Sequence, residues 1–564
     1  VNVLVPGGCF WPGPEEAAWS AALEEANGRK IVSRLWKRDA SLWKDDPRHV
    51  AIIENALGWL TVAETMRLSA REIQKWAAAV GGQGLRQVVL CGMGGSSLAP
   101  EVFAGTFPGA PGLPLLVLDS TSPEQIRKVE SRIDVARTFF LISSKSGGTL
   151  ETLTHFKYFF AKVASALGSK EDAGKRFAAI TDPGSRLEDL ARKFGFDRVF
   201  LNFPDIGGRY SALSYFGLVP AALCGIDLAR MLESVRRAMA ACRIQNAREN
   251  PGACLGAALS ALARRGRDKV TFVCSPRIGR LGAWLEQLIA ESTGKEGLGI
   301  VPVEGEPLAT PADYGNDRFF VYERLRNDSD GIAEKRLDRL RQEGQPVAAF
   351  SLDRPEDLAG RMFIWEFATA VAGSLLKIDA FDQPNVQESK DNTGAVLKAF
   401  EDAGRLDSPS PDWSREGIDF FGPGLAEFLA GARRGKDYVA LMAYAERSPE
   451  NEETLTAVRE EIRDATGCAT TVGFGPRFLH STGQLHKGGP DEGVFLQFVA
   501  PGEDLPIPDS RYGFATFLRA QALGDENSLR QRGRRFLKAA YAGPSAEGLA
   551  RLALLVSDAL SESK

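Results

Sequence analysis

From about residue 85 to 305 the chain alternates short apolar runs with stretches of helical spacing, and no other feature restricts its fold as much. The runs at 86–91, 115–119, 138–143, 177–181, 199–202, 270–274 and 300–303 are rich in Val, Ile, Leu and Phe and bounded by Gly, Pro, Ser or Asp, as strands are. Between them, 123–129, 149–167 and 185–194 carry helical periodicity and usable N-caps. Strand, helix, strand in repetition predicts an α/β fold of doubly wound parallel sheets covered on both faces. Ligands of such sheets bind off the carboxyl ends of the strands.

The 564 residues, at roughly 150 per domain, allow about three or four domains. The pattern divides them into a helical N-terminal segment (1–63, with helices at 14–25 and 49–59), a first α/β unit (64–250), a second (251–395) and a C-terminal α/β region (396–564). A Pro/Ser-rich stretch at 406–412 sets off the last region, whose strand candidates are 438–444, 470–474 and 494–499.

Composition excludes several classes. A net charge of −4 shows no basic excess for nucleic acid. The 44% hydrophobic and 25% charged residues are those of a globular chain. The longest apolar stretch, 216–226, falls short of the ~20 residues of a membrane helix, and no basic segment leading into an apolar run opens the chain. The seven cysteines are scattered without a CxxC pair, which predicts reduced core thiols and a cytoplasmic location. The first residue is Val1, so a processed chain or a piece of a longer one is expected.

The segment Ser143-Ser144-Lys145-Ser146-Gly147-Gly148-Thr149 ends an apolar strand and begins a helix. Glycines let backbone wrap an anion, and the first N–H groups of a helix lack internal partners. Ser144, Ser146 and Thr149 add hydroxyls and Lys145 a charge, which favours a phosphate cradle over a plain capping turn; no Walker loop is present. A second turn, Gly92-Met93-Gly94-Gly95-Ser96-Ser97, follows the first strand without matching the dinucleotide fingerprint. Gly207-Gly208-Arg209-Tyr210-Ser211 sets a guanidinium close to backbone, where it can meet an oxyanion; a surface-loop arginine would read the same way.

Trp284 to Lys295 reads as a helix ending at Gly294, with Gln287 and Glu291 on one face. A carboxylate at a helix end suits a general base, although most such glutamates are solvated. Gln383 and Lys390 lie about two turns apart along a helix fed by Phe381-Asp382-Gln383. Of the four histidines, His155 reads as structural and His49 as a helix-start residue. His480 and His486 fall in a Gly-rich polar loop that suits acid–base chemistry. No ligand set at zinc spacing is visible, so neither metal nor cofactor is expected.

In this order, the GMGGSS turn, SSKSGGTLET, GGRYS, the E-S-T-G-K helix end and FDQ with a lysine seven residues on resemble the phosphoglucose isomerase family. That family is built from two sugar-isomerase (SIS) domains, and the resemblance spans about 64–395. The loop TGQLHKGGP further resembles the isomerase half of bacterial transaldolase/phosphoglucose isomerase fusions. Residues 1–63 are too few for a transaldolase barrel, which needs about 250 residues.

The resemblance implies cofactor-free interconversion of glucose 6-phosphate and fructose 6-phosphate, a step of glycolysis and gluconeogenesis. Ser144, Lys145, Ser146 and Thr149 would hold the phosphate, with Ser96 nearby. Glu291 would shuttle the proton between C2 and C1, and Arg209 would stabilise the enediolate. Gln287 and Gln383 would line the sugar, and Lys390 with a histidine would open the ring. The chain departs from the family in Ser146-Gly147-Gly148-Thr149, where T-F-T-T is usual, and in Asn385-Val386-Gln387, where G-V-E is usual. No histidine occurs between Glu291 and Lys390, where the family has its ring-opening residue; His486 is the expected replacement, with His480 second. The family histidine comes from a neighbouring subunit, which implies a homodimer. Weighed against this reading are an isomerase of another phosphosugar and a phosphosugar-sensing module without catalysis. The chain lacks the basic DNA-binding segment that such a sensor would carry.

Overall fold

The computed structural model describes residues 3–5, 7–328, 330–406 and 409–562; Val1 and positions 407–408 of the Pro/Ser-rich stretch lie outside the described residues. Three sheets organise the chain. The first is wholly parallel, in the order Leu115–Leu118, Gln87–Gly92, Thr138–Ser143, Phe177–Thr181, Arg198–Leu201. Its central strand Thr138–Ser143 is buried at every position, as helices on both faces require.

The second sheet holds four parallel strands, Val301–Val303, Lys269–Cys274, Arg318–Leu325 and Val347–Leu352. Its far edge adds strands to a chain start expected to be mostly helical. The hairpin Val3–Val5/Gly8–Trp11 lies antiparallel along Val347–Leu352, pairing Phe10 with Ala348. The helical part of the segment begins at Glu16–Gly28 and packs on the second unit, where Trp19 and Trp43 donate indole N–H groups to the carbonyls of Cys254 and Ala370. The helix expected at 49–59 is Pro47–Glu54 followed by a separate turn, Gly58–Leu60.

The C-terminal region is a third sheet of parallel strands, Ala469–Phe474, Tyr438–Tyr444, Gly493–Val499 and Arg535–Ala540, with the antiparallel hairpin Trp413–Arg415/Ile418–Phe421 on its edge. It repeats the second sheet: the first two parallel strands are inverted, the third and fourth follow in order, and a hairpin covers the fourth. The helix Pro384–Ala403 runs through the expected boundary at 395/396. The third unit shares a core with the second, where Ala290, Val301 and Val303 pack with Tyr438, Met442 and Phe478. It also enters the core of the first, where Phe514 and Ile507 lie among Ile126, Tyr158 and Phe159.

The cysteines of the described residues are free; Cys91, Cys224, Cys242, Cys254 and Cys468 are buried. No helix among the described residues is long and apolar enough to cross a membrane.

Candidate active site

The strand Thr138–Ser143 ends in the hydroxyl-rich turn, and the helix Leu150–Leu167 starts at the N-cap Thr149. Gly147 has φ +65°, and a Cβ there would meet the Leu187 nitrogen at 2.6 Å, so the turn requires glycine at this position. Ser144 Oγ and Thr149 Oγ1 lie 2.9 Å apart, and Ser146 Oγ accepts from the Gly148 N–H. Lys145 departs from expectation. Its ammonium is committed to Asp182 and to the Pro204 carbonyl, so it is held off the cavity that the turn borders.

That cavity, of about 350 Å³, is lined by Ser146, Thr149, Glu151, Lys390, His480 and Gln521, among others. Lys390 reaches it from the helix Pro384–Ala403, whereas Gln383, the N-cap of that helix, is not among the lining residues.

Beside it lies a second cluster at the end of the helix Leu281–Thr293. Glu291, 9% exposed, is held by two groups: Gln287 Nε2 donates to its Oε2 at 3.1 Å, and Arg209 Nη1 stands 3.3 Å from its Oε1. Arg209 is itself almost wholly buried. It donates through Nε to Ser292 Oγ, through Nη1 to Gln383 Oε1, and through Nη2 to the carbonyls of Ala380 and Asp382, all within 2.9 Å. Lys295, the lysine of the E-S-T-G-K tail, donates to the carbonyls of Asp379 and Asp382 and to the Asp382 carboxylate. Burial, with the nearby Arg209 charge, pushes its pKa down to about 8. The 379–383 loop is thus pinned by two cations. On its outer side His49 Nδ1 lies 2.8 Å from Asp379, and His49, Asp379 and Asp382 are close enough to hold an ion. Both carboxylates are already engaged by His49 and Lys295.

His480 joins the two clusters. Its carbonyl accepts from Gln287 Nε2 at 2.7 Å, and its ring Nε2 lies 3.0 Å from Glu151 Oε1 at the cavity. The GMGGSS turn, which carries the buried Ser96, closes against the same place, since a Cβ on Gly94 would meet both Gln287 and His480. Gly95 abuts the Arg209 turn, and its Cβ would lie 2.0 Å from the Gly208 carbonyl oxygen. Gly95→Ala should therefore push the two turns apart. Overpacking of this kind typically costs about 1–3 kcal/mol, and the variant should lose turnover and unfold at lower temperature. Parental kinetics and melting would show that the approach is not required.

The structure does not bring His486 to the cavity. The TGQLHKGGP segment is not an open loop: Gly483–Gly488 is helical and turns His486 inward, 3% exposed, with its ring 5.0 Å from that of Phe495 and near Tyr438 and Phe478. Burial, then the charges of Lys487 and Arg534, hold its pKa well below the usual imidazole value. His155 is buried too, its Nε2 on the Ser120 carbonyl, and burial lowers it to about 4.

Glu151 was legible only as part of the SSKSGGTLET string. Burial would raise its pKa, but the His480 hydrogen bond and charge, with Lys390 further off, bring it below the ordinary value, so it faces the cavity as a carboxylate. An acid in the first turn of a helix, directly after a phosphate-like turn, was the available signal.

The family model described as phosphoglucose isomerase matches residues 56–306. The glucose-6-phosphate isomerase of Geobacter sp. (strain M21) is 32% identical over 432 residues, covering 68% of this chain and 78% of its own. The probable glucose-6-phosphate isomerase of Methanococcus maripaludis is 28% identical over 344 residues, 54% of this chain and 76% of its own. Among solved structures, a hypothetical protein from Thermus thermophilus superposes with a TM-score of 0.57 at 25% identity, covering 72% of this chain and 100% of its own. The glucose-6-phosphate isomerase of Chlamydia trachomatis shares the fold, with a TM-score of 0.58 at 17% identity over 71% of this chain and 90% of its own. With a relative this similar covered over more than two thirds of its length, the chain belongs to the phosphoglucose isomerase family.

Proposed function

We propose that this chain interconverts glucose 6-phosphate and fructose 6-phosphate through a cis-enediolate, and that its residues divide the work as follows. The observation that carries the reading is the Glu291 carboxylate, buried at a helix end and held between an amide donor and a guanidinium. Abstracting a proton alpha to a carbonyl needs a positioned base and a cation for the oxyanion that forms, and this pair supplies both.

The phosphate sits at Ser144, Ser146 and Thr149, where free N–H groups open the following helix, with Ser96 on the neighbouring turn. With Lys145 tied to Asp182, backbone and hydroxyls carry more of the anion binding than a lysine would. His480 and Lys390 move protons between the ring oxygen and O1 to open the sugar, and Glu151 holds the His480 ring in its tautomer. Glu291 then takes the C2 proton and returns it to C1 while Arg209 faces the enediolate oxygen. Gln287 and Gln383 fix Glu291 and Arg209 and border the sugar. The step belongs to glycolysis and gluconeogenesis. A cytoplasmic location is supported by the free cysteines, and a transaldolase in a longer chain by the TGQLHKGGP likeness.

A coupled assay of the purified protein on fructose 6-phosphate, with mannose 6-phosphate beside it, tests the reading. Turnover of fructose 6-phosphate is expected, and its absence refutes the reading; turnover of mannose 6-phosphate alone would favour the isomerase of another phosphosugar instead. The two histidines separate cleanly. His480→Ala should slow use of the closed-ring sugar by roughly 10²-fold, the lower end of what a lost acid–base group costs. His486→Phe conserves an apolar ring site, so it should cost less than about 1.5 kcal/mol of stability and leave turnover unchanged. The reverse outcome would return the role to His486.

A further inference from the structure

Glu151 takes hydrogen bonds from two side chains, and both belong to the C-terminal unit. His480 Nε2 and Gln521 Nε2 reach the same oxygen, Oε1, at 3.0 and 2.8 Å. Gln521 lies on the helix Phe514–Gln531 and is 2% exposed. Its other end is fixed as well: Oε1 accepts from Thr121 Oγ1 of the first unit at 2.6 Å. A hydroxyl donating to the amide oxygen leaves the amide nitrogen to face the carboxylate, so the orientation of Gln521 is set by both partners.

The unit that delivers these groups is built into the rest of the chain. Phe514, seven residues before Gln521, packs against the His155 and Tyr158 rings. Arg477, three before His480, ion-pairs with Glu101 and Asp119 of the first unit. Gln484 donates to the Gly294 carbonyl at the end of the Glu291 helix and to Asn385 on the helix of Lys390. A Cβ on Gly294 would meet Leu485 Cα at 2.4 Å, so the Glu291 helix ends in direct contact with the third unit.

We propose that the C-terminal unit completes the catalytic pocket within its own chain, and that Gln521 is the positioning residue through which it does so. This rests on the role given to His480 above. The ring-opening histidine that the family takes from a neighbouring subunit comes here from the turn Arg477–His480 in the third unit of the same chain, so no second copy is needed for chemistry. Gln521, 2% exposed, acts through Glu151. It holds Glu151 against rotation, and Glu151 in turn holds the His480 ring.

Two experiments test this. First, His480→Ala and Glu291→Gln chains are unfolded, mixed and refolded together. Sites closed within one chain should give no activity beyond that of the separate variants. Sites shared across a two-fold dimer would recover about a quarter of parental activity, because half of randomly paired dimers are mixed and each carries one whole site; that recovery overturns the proposal. Parental turnover in His480→Ala alone would instead sink the role of His480, and with it what the C-terminal unit is said to complete. Second, Gln521→Leu should lower kcat on the closed-ring sugar roughly ten- to a hundredfold, the scale of a small misplacement of a reacting group. KM should stay within about twofold, since nothing that binds the phosphate has changed. Unchanged kcat, or a loss confined to KM, would remove Gln521 from the positioning role.

Discussion

Glu291→Gln should bind a phosphosugar about as well as the parent chain and isomerise it at least a hundred times more slowly. The substitution is isosteric, and the cradle at Ser144–Thr149 lies on another unit, so affinity for the phosphate is untouched. What is lost is the proton acceptor, and a positioned acid–base group typically contributes about 10²–10⁴-fold. A glutamine at 291 also cannot satisfy both neighbours. Gln287 Nε2 donates to one native carboxylate oxygen and the Arg209 guanidinium stands 3.3 Å from the other; an amide offers only one acceptor, so either that donor or the cation would face an NH₂ group. The loss should fall on kcat with KM nearly constant, as for an interaction made only on the way to the transition state. Exchange of the C2 proton with solvent deuterium should stop in parallel, which separates a lost base from a collapsed pocket. If turnover and exchange persist near parental rates, another group is the base and the reading of the helix end is wrong.

The strands that sequence reading found and those it missed differ in how their side chains are satisfied. Thr138–Ser143 is apolar, buried on both faces and bounded by turn residues, and it lies where the pattern places it. Arg318–Leu325 is equally central in its sheet, but its charged residues hide it. Arg318 is neutralised by Glu306, and Glu323 receives Arg361 and the Trp365 indole; these partners stand 12 to 42 positions away. The hairpin at the chain start has no local reason to be strand, because what it pairs with is Val347–Leu352. Alternation therefore reveals strands that packing alone stabilises, and it is silent about strands that need a distant partner.

The site divides along the same line. Arg209, Glu291, Gln287, Gln383 and Lys390 stand in short motifs whose local geometry already suggests chemistry, and they assemble into neighbouring clusters. Glu151 and Gln521 acquire meaning only from each other, across 370 positions. His480 and His486 differ in which way a short helix faces, which the sequence does not tell, since they stand six positions apart in one polar, Gly-rich stretch. Lys145 shows the opposite case: a lysine in a cradle motif invites a phosphate, and its competing partner, the Asp182 carboxylate, comes only after the next strand.

Arg209→Lys should be nearly as damaging as loss of the base, although the charge is kept. The guanidinium donates to Ser292, Gln383 and the Ala380 and Asp382 carbonyls, and it stands against the Glu291 carboxylate. A planar fork can face these acceptors together; an ammonium with three donors on a flexible stem cannot. Each buried acceptor left without a donor costs about 1–3 kcal/mol, and the 379–383 loop, with Gln383 on it, loses one of its two cationic ties. Lys295 cannot replace the missing tie to Ala380, because its own donors are spent on Asp379 and Asp382. Turnover should fall by roughly 10²–10³-fold, the scale for removing a donor aimed at a developing oxyanion. Amide hydrogen exchange should accelerate at 379–383 before it changes in the first sheet. Exchange faster there with turnover within tenfold of the parent would mean that Arg209 only braces the loop; slow turnover with unchanged exchange would assign it to the oxyanion alone. Loss of both is the expected result, because the same guanidinium faces the base and holds the loop that carries Gln383.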